Sequence, residues 1–176
     1  LVREDLCVHL ERDGHPVLVA GSVCFPTRWT LAEKIGRPLD LVHAPVPGYA
    51  DELALKVRQF MTRIRPGPGV WRRNWSIMPT GRLSLPGHHD EYLPATNAPD
   101  QLYYRTERQT LRRLPTTAAV IFTIAIDVTP LPLLEAELAR HLADEIEGLP
   151  TDFRAYKGLE RRSDVVPYLR LISADR

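Results

Sequence analysis

Ile35–Tyr49, IGRPLDLVHAPVPGY, parts a hairpin-like beginning from a helix-and-strand remainder, and its reading decides the fold. Ahead of it, Glu4–Glu11 and Pro16–Phe25 are runs rich in Val, Leu and Cys, separated by Arg12-Asp13-Gly14. This is a hairpin signal, because the tight turn demands a positive φ that Gly14 supplies without steric cost. Thr27 or Thr30 can cap a helix running through Lys34, which Gly36 and Pro38 break. Leu39–Val42 adds one further turn, and His43 follows at a corner. Pro45 and Pro47 fix their own φ angles and drive Ala44 and Val46 toward extended backbone, and Gly48 lets the chain reverse. Beyond the corner, Asp51–Ile64 carries Leu53, Val57, Phe60, Met61 and Ile64 at three- and four-residue steps, an amphipathic helix. Pro66-Gly67-Pro68-Gly69 ends it.

Strand character returns in Val70–Met78, followed by a polar loop, Pro79–Pro99, long enough for a flap. Leu102–Leu114 and Ala118–Val128 are two more strands joined through Pro115-Thr116-Thr117, the second nearly continuous in β-branched and aromatic residues, as in a central strand. Leu131–Glu147 reads as a helix with Leu134, Leu138, His141, Leu142 and Ile146 on one stripe, which makes His141 a core or boundary residue. Asp152–Arg176 is weakly helical and is expected to pack on the outside or on a partner. Two strands, a block of short helices, three strands and a C-terminal helix make an α+β fold. It has a five-stranded antiparallel sheet with helices grouped on one face. That is the arrangement of a PAS domain, whose sheet and helical block enclose a pocket that often holds haem or flavin. Residues 1–176 are expected to form one domain. The strand-like start at Leu1 suggests that a preceding segment is missing.

Apolar residues make up 44% and charged residues 26% of 176, the profile of a globular protein. With 23 basic against 22 acidic side chains the net charge is +1, which gives no electrostatic footprint for nucleic acid. No apolar run reaches the roughly 20 residues of a membrane-spanning helix, and no signal peptide is visible. Cys7 and Cys24 would not face each other across the hairpin, so both are expected to be buried, reduced thiols in a cytoplasmic protein. Without a CxxC pair, iron–sulfur and zinc sites held by this chain alone lack support. P-loop, G-x-S-x-G and GxGxxG motifs are absent as well.

Three stretches carry candidate chemistry. His43 on its proline-flanked corner suits a ligand held at fixed height, although the plainer role is a helix cap bonded to a carbonyl. Arg105–Arg113, RTERQTLRR, places Arg105, Glu107 and Gln109 on one face of a strand and Thr106, Arg108 and Thr110 on the other. Glu107, Arg108 and Gln109 are read as pocket residues, Arg112 and Arg113 as an outward face of cross-strand ion pairs. In Trp71–Ser76, Arg72, Asn74 and Ser76 share a face, while Trp71 and Trp75 either cover a planar cofactor or pack as ordinary core. His88-His89-Asp90-Glu91 is read as a solvated loop, since adjacent histidines rarely converge on one ion.

Taken together, EDLCVHL, AGSVCFPTRWTLAEKIGRPL, VHAPVPGY, RNWSI, RTERQTLRRLP, AVIFTI and AYKGL resemble, in order, the haem subunit of haem-dependent oxidative N-demethylases. The resemblance covers about Glu4 to about Leu159. It implies a PAS domain that binds haem b and oxidises a small secondary amine such as dimethylamine with O2. Electrons would come from a separate flavin and iron–sulfur reductase subunit, and a tetrahydrofolate-dependent subunit can take the one-carbon product. It makes His43 the first choice as proximal iron ligand, with Pro45, Pro47, Tyr49, Arg72 and Trp75 as further cofactor contacts. A neutral imidazole suits ferrous haem and leaves the opposite face open for O2. Glu107 is then the carboxylate for an alkylammonium, and Arg72, Asn74, Arg108 and Gln109 are donors for oxygen as it gains negative charge. Where the family usually continues AVIFTI with Arg-Thr-Tyr, this chain has Ala125, Ile126 and Asp127, which removes part of the distal pocket if those residues line it. A haem-binding gas or redox sensor without turnover, and a PAS module holding no cofactor, are the other readings. The oligomeric state stays open.

Overall fold

The computed structural model describes residues 2–87, 92, 97–160 and 162–174. Its five strands are β1 (Asp5–Arg12), β2 (His15–Ser22), β3 (Val70–Met78), β4 (Tyr103–Arg113) and β5 (Val120–Pro130). They form one antiparallel sheet in the order β2-β1-β5-β4-β3. The edges are β2 and β3, consecutive strands joined through the helical block, and the first strand lies beside the last, the PAS-like order. Between β2 and β3 come α1 (Leu31–Lys34), α2 (Leu39–Val42), a π-helical turn (Tyr49–Leu53) and α3 (Ala54–Arg63). After β5 come α4 (Ala136–Gly148), α5 (Thr151–Tyr156) and α6 (Val165–Ala174). None of the described helices is long and apolar enough to cross a membrane.

Each early element forms for a local reason. Asp13 and Gly14 take φ of 52° and 75°, so a two-residue turn with both φ positive closes the hairpin and pairs Arg12 with His15. Asp5, 1% exposed, turns its carboxylate to the chain leaving β2, accepting from Cys24 N at 2.6 Å and Phe25 N at 3.0 Å. Cys24 is exposed there and only Cys7 is buried, because β2 ends at Ser22 before the second thiol can turn inward. Thr30, not Thr27, heads α1, where its N–H donates to Glu33 Oε2 at 3.2 Å. The edge strand β2 is covered by the residues that break α1: Leu18 N donates to Arg37 O at 3.1 Å and Gly36 N to Leu18 O at 2.7 Å.

The chain separates into two compact units, formed by the described parts of 1–74, 84–87 and 107–126, and of 75–83, 88–106 and 127–176. In the first, Leu39, Met61, Ile64 and Val120 form a buried cluster with Val42, Val57 and Leu111 against it. The cluster seats α2 and α3 on one face of β4 and β5. By strand alternation, Gln109 and Glu107 point the same way as Leu111. Arg113 stitches α3 to the β4–β5 turn, donating to Ile64 O at 2.7 Å, Met61 O at 2.6 Å and Ala118 O at 2.5 Å. It is thus a helix C-terminal cap rather than a member of an outward ion-pair face.

In the second unit, Leu131, Leu134, Ala139, Leu142, Ala143, Ile146, Leu159, Val165 and Leu169 are buried together with Ile77 and Leu102. The C-terminal region is therefore part of a core, with Val165 and Leu169 fully buried. His141 is exposed, because the inward stripe of α4 runs through Ala139, Leu142, Ala143 and Ile146. Arg105, 1% exposed, donates to Arg82 O and Leu83 O at 3.2 and 2.8 Å, pinning the start of the long loop. His88, His89, Asp90 and Glu91 lie outside the described residues.

Candidate functional site

His43 follows the last residue of α2, where its backbone N–H still donates to Leu39 O. Its ring Nδ1 lies 3.0 Å from the same carbonyl. A carbonyl only accepts, so Nδ1 carries the proton and Nε2 keeps its lone pair. The helix-cap bond anticipated from the sequence is therefore present and occupies one nitrogen only. The ring stacks on Tyr49, with centroids 4.9 Å apart and planes inclined by 15°. Gly48, with φ of 65°, makes the reversal that brings Tyr49 back to it. Burial holds the imidazole's pKa below its ordinary value against the opposing pull of the Leu39 carbonyl, and the Arg72 guanidinium, then Lys34, add to the effect. The result is a neutral, ring-fixed imidazole offering Nε2.

Of the two prolines that shape the corner, Pro45 is exposed and Pro47 half-buried. Tyr49 is 4% exposed, and its hydroxyl has no hydrogen-bond partner among the described residues.

A second feature lies on the covered face of the sheet. Arg72 Nε donates to Gln109 Oε1 at 2.8 Å, Gln109 Nε2 donates to Glu107 Oε2 at 2.8 Å, and Thr27 Oγ1 donates to Glu107 Oε1 at 2.7 Å. Because the guanidinium can only donate, it fixes which end of the Gln109 amide faces Glu107. Gln109 is buried, Glu107 half-buried, and Arg72 largely exposed beyond its Nε. Arg72 belongs to this chain of bonds, and its charge is also one of the causes that hold the His43 pKa down.

The remaining candidates fall elsewhere. Asn74 is exposed, two residues on from Arg72 and so on the same face of β3, and takes no part in that chain of bonds. Arg108 points to the other face of β4, exposed, 3.7 Å from Glu4. Trp75 packs against the helical cluster of the second unit, with Lys157 Nζ 4.3 Å from its ring centroid and 2.6 Å from its carbonyl. Trp71 is exposed. Ala125 and Ile126 are buried, while Asp127 is exposed. Thr27 is the addition that sequence reasoning missed, since a threonine ahead of a helix reads first as a cap.

Among the described residues, no three His, Cys, Asp or Glu side chains converge as a site for a bare metal ion. His43 could supply one nitrogen donor, Nε2, to a metal whose other donors came from a non-protein group. The donor fits that task. Nδ1–H bonded to a backbone carbonyl sets the tautomer and ring angle and raises the basicity of Nε2, as ligating histidines require. Residues 1–167 match the family model described as haem-dependent oxidative N-demethylase, alpha subunit-like.

Proposed function

The chain belongs to the haem-dependent oxidative N-demethylase, alpha subunit-like family, and from that premise we propose that it binds haem b through His43 Nε2 and demethylates a small secondary amine. When bound, the haem supplies an iron that activates O2 with electrons delivered by a separate flavin and iron–sulfur reductase subunit. The protein's own part divides between two groups of residues. His43 would hold the iron through Nε2, its ring angle set by Leu39 O and Tyr49. Glu107 receives the alkylammonium through charge-assisted hydrogen bonds, which position its methyl group and exclude a competing water. Arg72 spends Nε on Gln109, so its terminal nitrogens, with Asn74 on the same strand face, serve as donors where negative charge develops on oxygen.

The observation that carries this reading is the state of His43: one nitrogen committed to Leu39 O, the ring stacked, and Nε2 left as the ligating atom. The bonded chain from Arg72 to Glu107 favours an amine oxidase over a gas sensor, because a diatomic gas has no use for an oriented carboxylate. His43→Ala is expected to abolish haem retention, read from the Soret band and the haem-to-protein ratio of the purified variant. Full occupancy with an unchanged Soret band would place the ligand elsewhere. Formaldehyde release from dimethylamine, with a reductase present, separates the enzyme from the sensor.

A further inference from the structure

We propose that Thr27 is a positioning residue, which orients the Glu107 carboxylate and thereby sets its affinity for a secondary ammonium. The inference deepens the proposed function and rests on it. An ionised carboxylate offers about four lone-pair positions over its two oxygens. Gln109 Nε2 takes one on Oε2 and Thr27 Oγ1 takes one on Oε1. Donors on both oxygens hold the carboxylate plane against rotation and leave one lone pair on each. Two adjacent acceptors of that kind match the two N–H groups of a dialkylammonium. Loss of the Thr27 bond frees the carboxylate to turn and moves one of the two acceptors off target.

The backbone around Thr27 supports a positioning role, since it is tied on both sides. Leu85 N donates to Pro26 O at 2.9 Å and Arg28 N to Leu85 O at 2.8 Å, a parallel bridge centred on Thr27 and Leu85. Leu85 is fully buried, and Arg28 takes a φ of 62°, a left-handed conformation that a long side chain rarely adopts. The hydroxyl is therefore presented from a fixed frame rather than from a wandering loop, as a supporting group must be. Gln109 is oriented from the other side by Arg72, so Glu107 is clasped between two independent supports.

The test uses the haem-loaded protein and dimethylammonium chloride, with affinity measured by isothermal titration calorimetry and by the amine-induced Soret shift. Thr27→Val keeps the shape and deletes the donor. It is expected to weaken dimethylammonium binding about tenfold, the magnitude of one hydrogen bond to a charged group. Haem content and the ligand-free Soret band should stay as in the wild type. Thr27→Ser should recover the affinity to within about twofold, which a role in packing alone would not produce. In a Glu107→Gln background the Thr27→Val change should cost little more, because the two residues act as one unit. If Glu107→Gln weakens binding while Thr27→Val does not, Thr27 is only structural and the proposal falls with the role of Glu107 intact. If Glu107→Gln itself binds the amine as the wild type does, the assignment of Glu107 fails, and this proposal with it. Loss of haem in Thr27→Val would also overturn it, since the hydroxyl would then serve the cofactor site rather than the carboxylate.

Discussion

His9 is 5% exposed on β1, its ring edge-on to Phe122 at 6.5 Å, and its Nδ1 has no partner among the described residues. Burial is the main reason its pKa is pushed down to about 4, outweighing the bond to the Val120 backbone. The unfolded chain takes up a proton here near pH 6.5, whereas the folded chain resists until about 4. Stability contributed by the neutral ring is therefore complete above pH 6.5 and is lost as pH falls toward 4, by on the order of 3 kcal/mol in total. His9→Gln or His9→Phe should flatten that part of the stability–pH curve, measured by urea unfolding between pH 4 and 7. An unchanged slope would show that other groups set it. Arg113 is the other residue whose removal should be felt, because three carbonyls, two at the end of α3, depend on it. Arg113→Ala is expected to cost roughly 2–4 kcal/mol, while Arg112→Ala, exposed beside it, should stay within about 0.5 kcal/mol. The sequence could not distinguish these neighbours, since a cap of this kind spans from residue 113 back to 61 and 64 and leaves no local pattern.

At the scale of elements, the hairpin, α2 and β3 were legible in the sequence because each has a local cause. Gly14 demands the turn, Gly36 and Pro38 bound α2, and Pro68-Gly69 sets the start of β3. In the C-terminal region the helical character is legible but the place in a core is not. Pro167 is the third residue of α6, where the backbone N–H has no partner within the helix and proline is tolerated. With the helix formed, Val165 and Leu169 fall four apart and face α4, which answers with the small residues Ala139 and Ala143. Small residues carry little weight in a hydrophobic stripe, so periodicity alone runs it through Leu138 and His141, both of which are exposed. Leu169→Ala should therefore destabilise by about 2–5 kcal/mol, and Leu171→Ala, whose side chain is 57% exposed, by less than about 0.5 kcal/mol. Equal effects of the two in denaturant unfolding would return α6 to the surface.

At the scale of the whole molecule, the five-stranded antiparallel sheet follows from the sequence once a helical block separates two strands from three, while the order β2-β1-β5-β4-β3 is what the structure adds. Half of the candidate site follows with it. Strand alternation alone places Glu107 with Gln109, and the proline corner marks His43. Thr27 stands 80 residues from the carboxylate it serves, a separation that only the folded backbone closes. The same logic makes the proposed cofactor a test of the molecule as a unit, because a group that binds only the folded state stabilises every element at once. At a free haem concentration about 100 times its dissociation constant, the gain is about 2.7 kcal/mol. Haem added to the haem-free protein should raise the unfolding midpoint in step with recovery of the Soret band. His43→Ala removes a half-buried ring stacked on Tyr49, so its haem-free form should unfold within roughly 1 kcal/mol of the wild type. The variant should then gain nothing from added haem. A His43→Ala protein stabilised by haem to the same extent as the wild type would show that folding and cofactor are joined through some other residue.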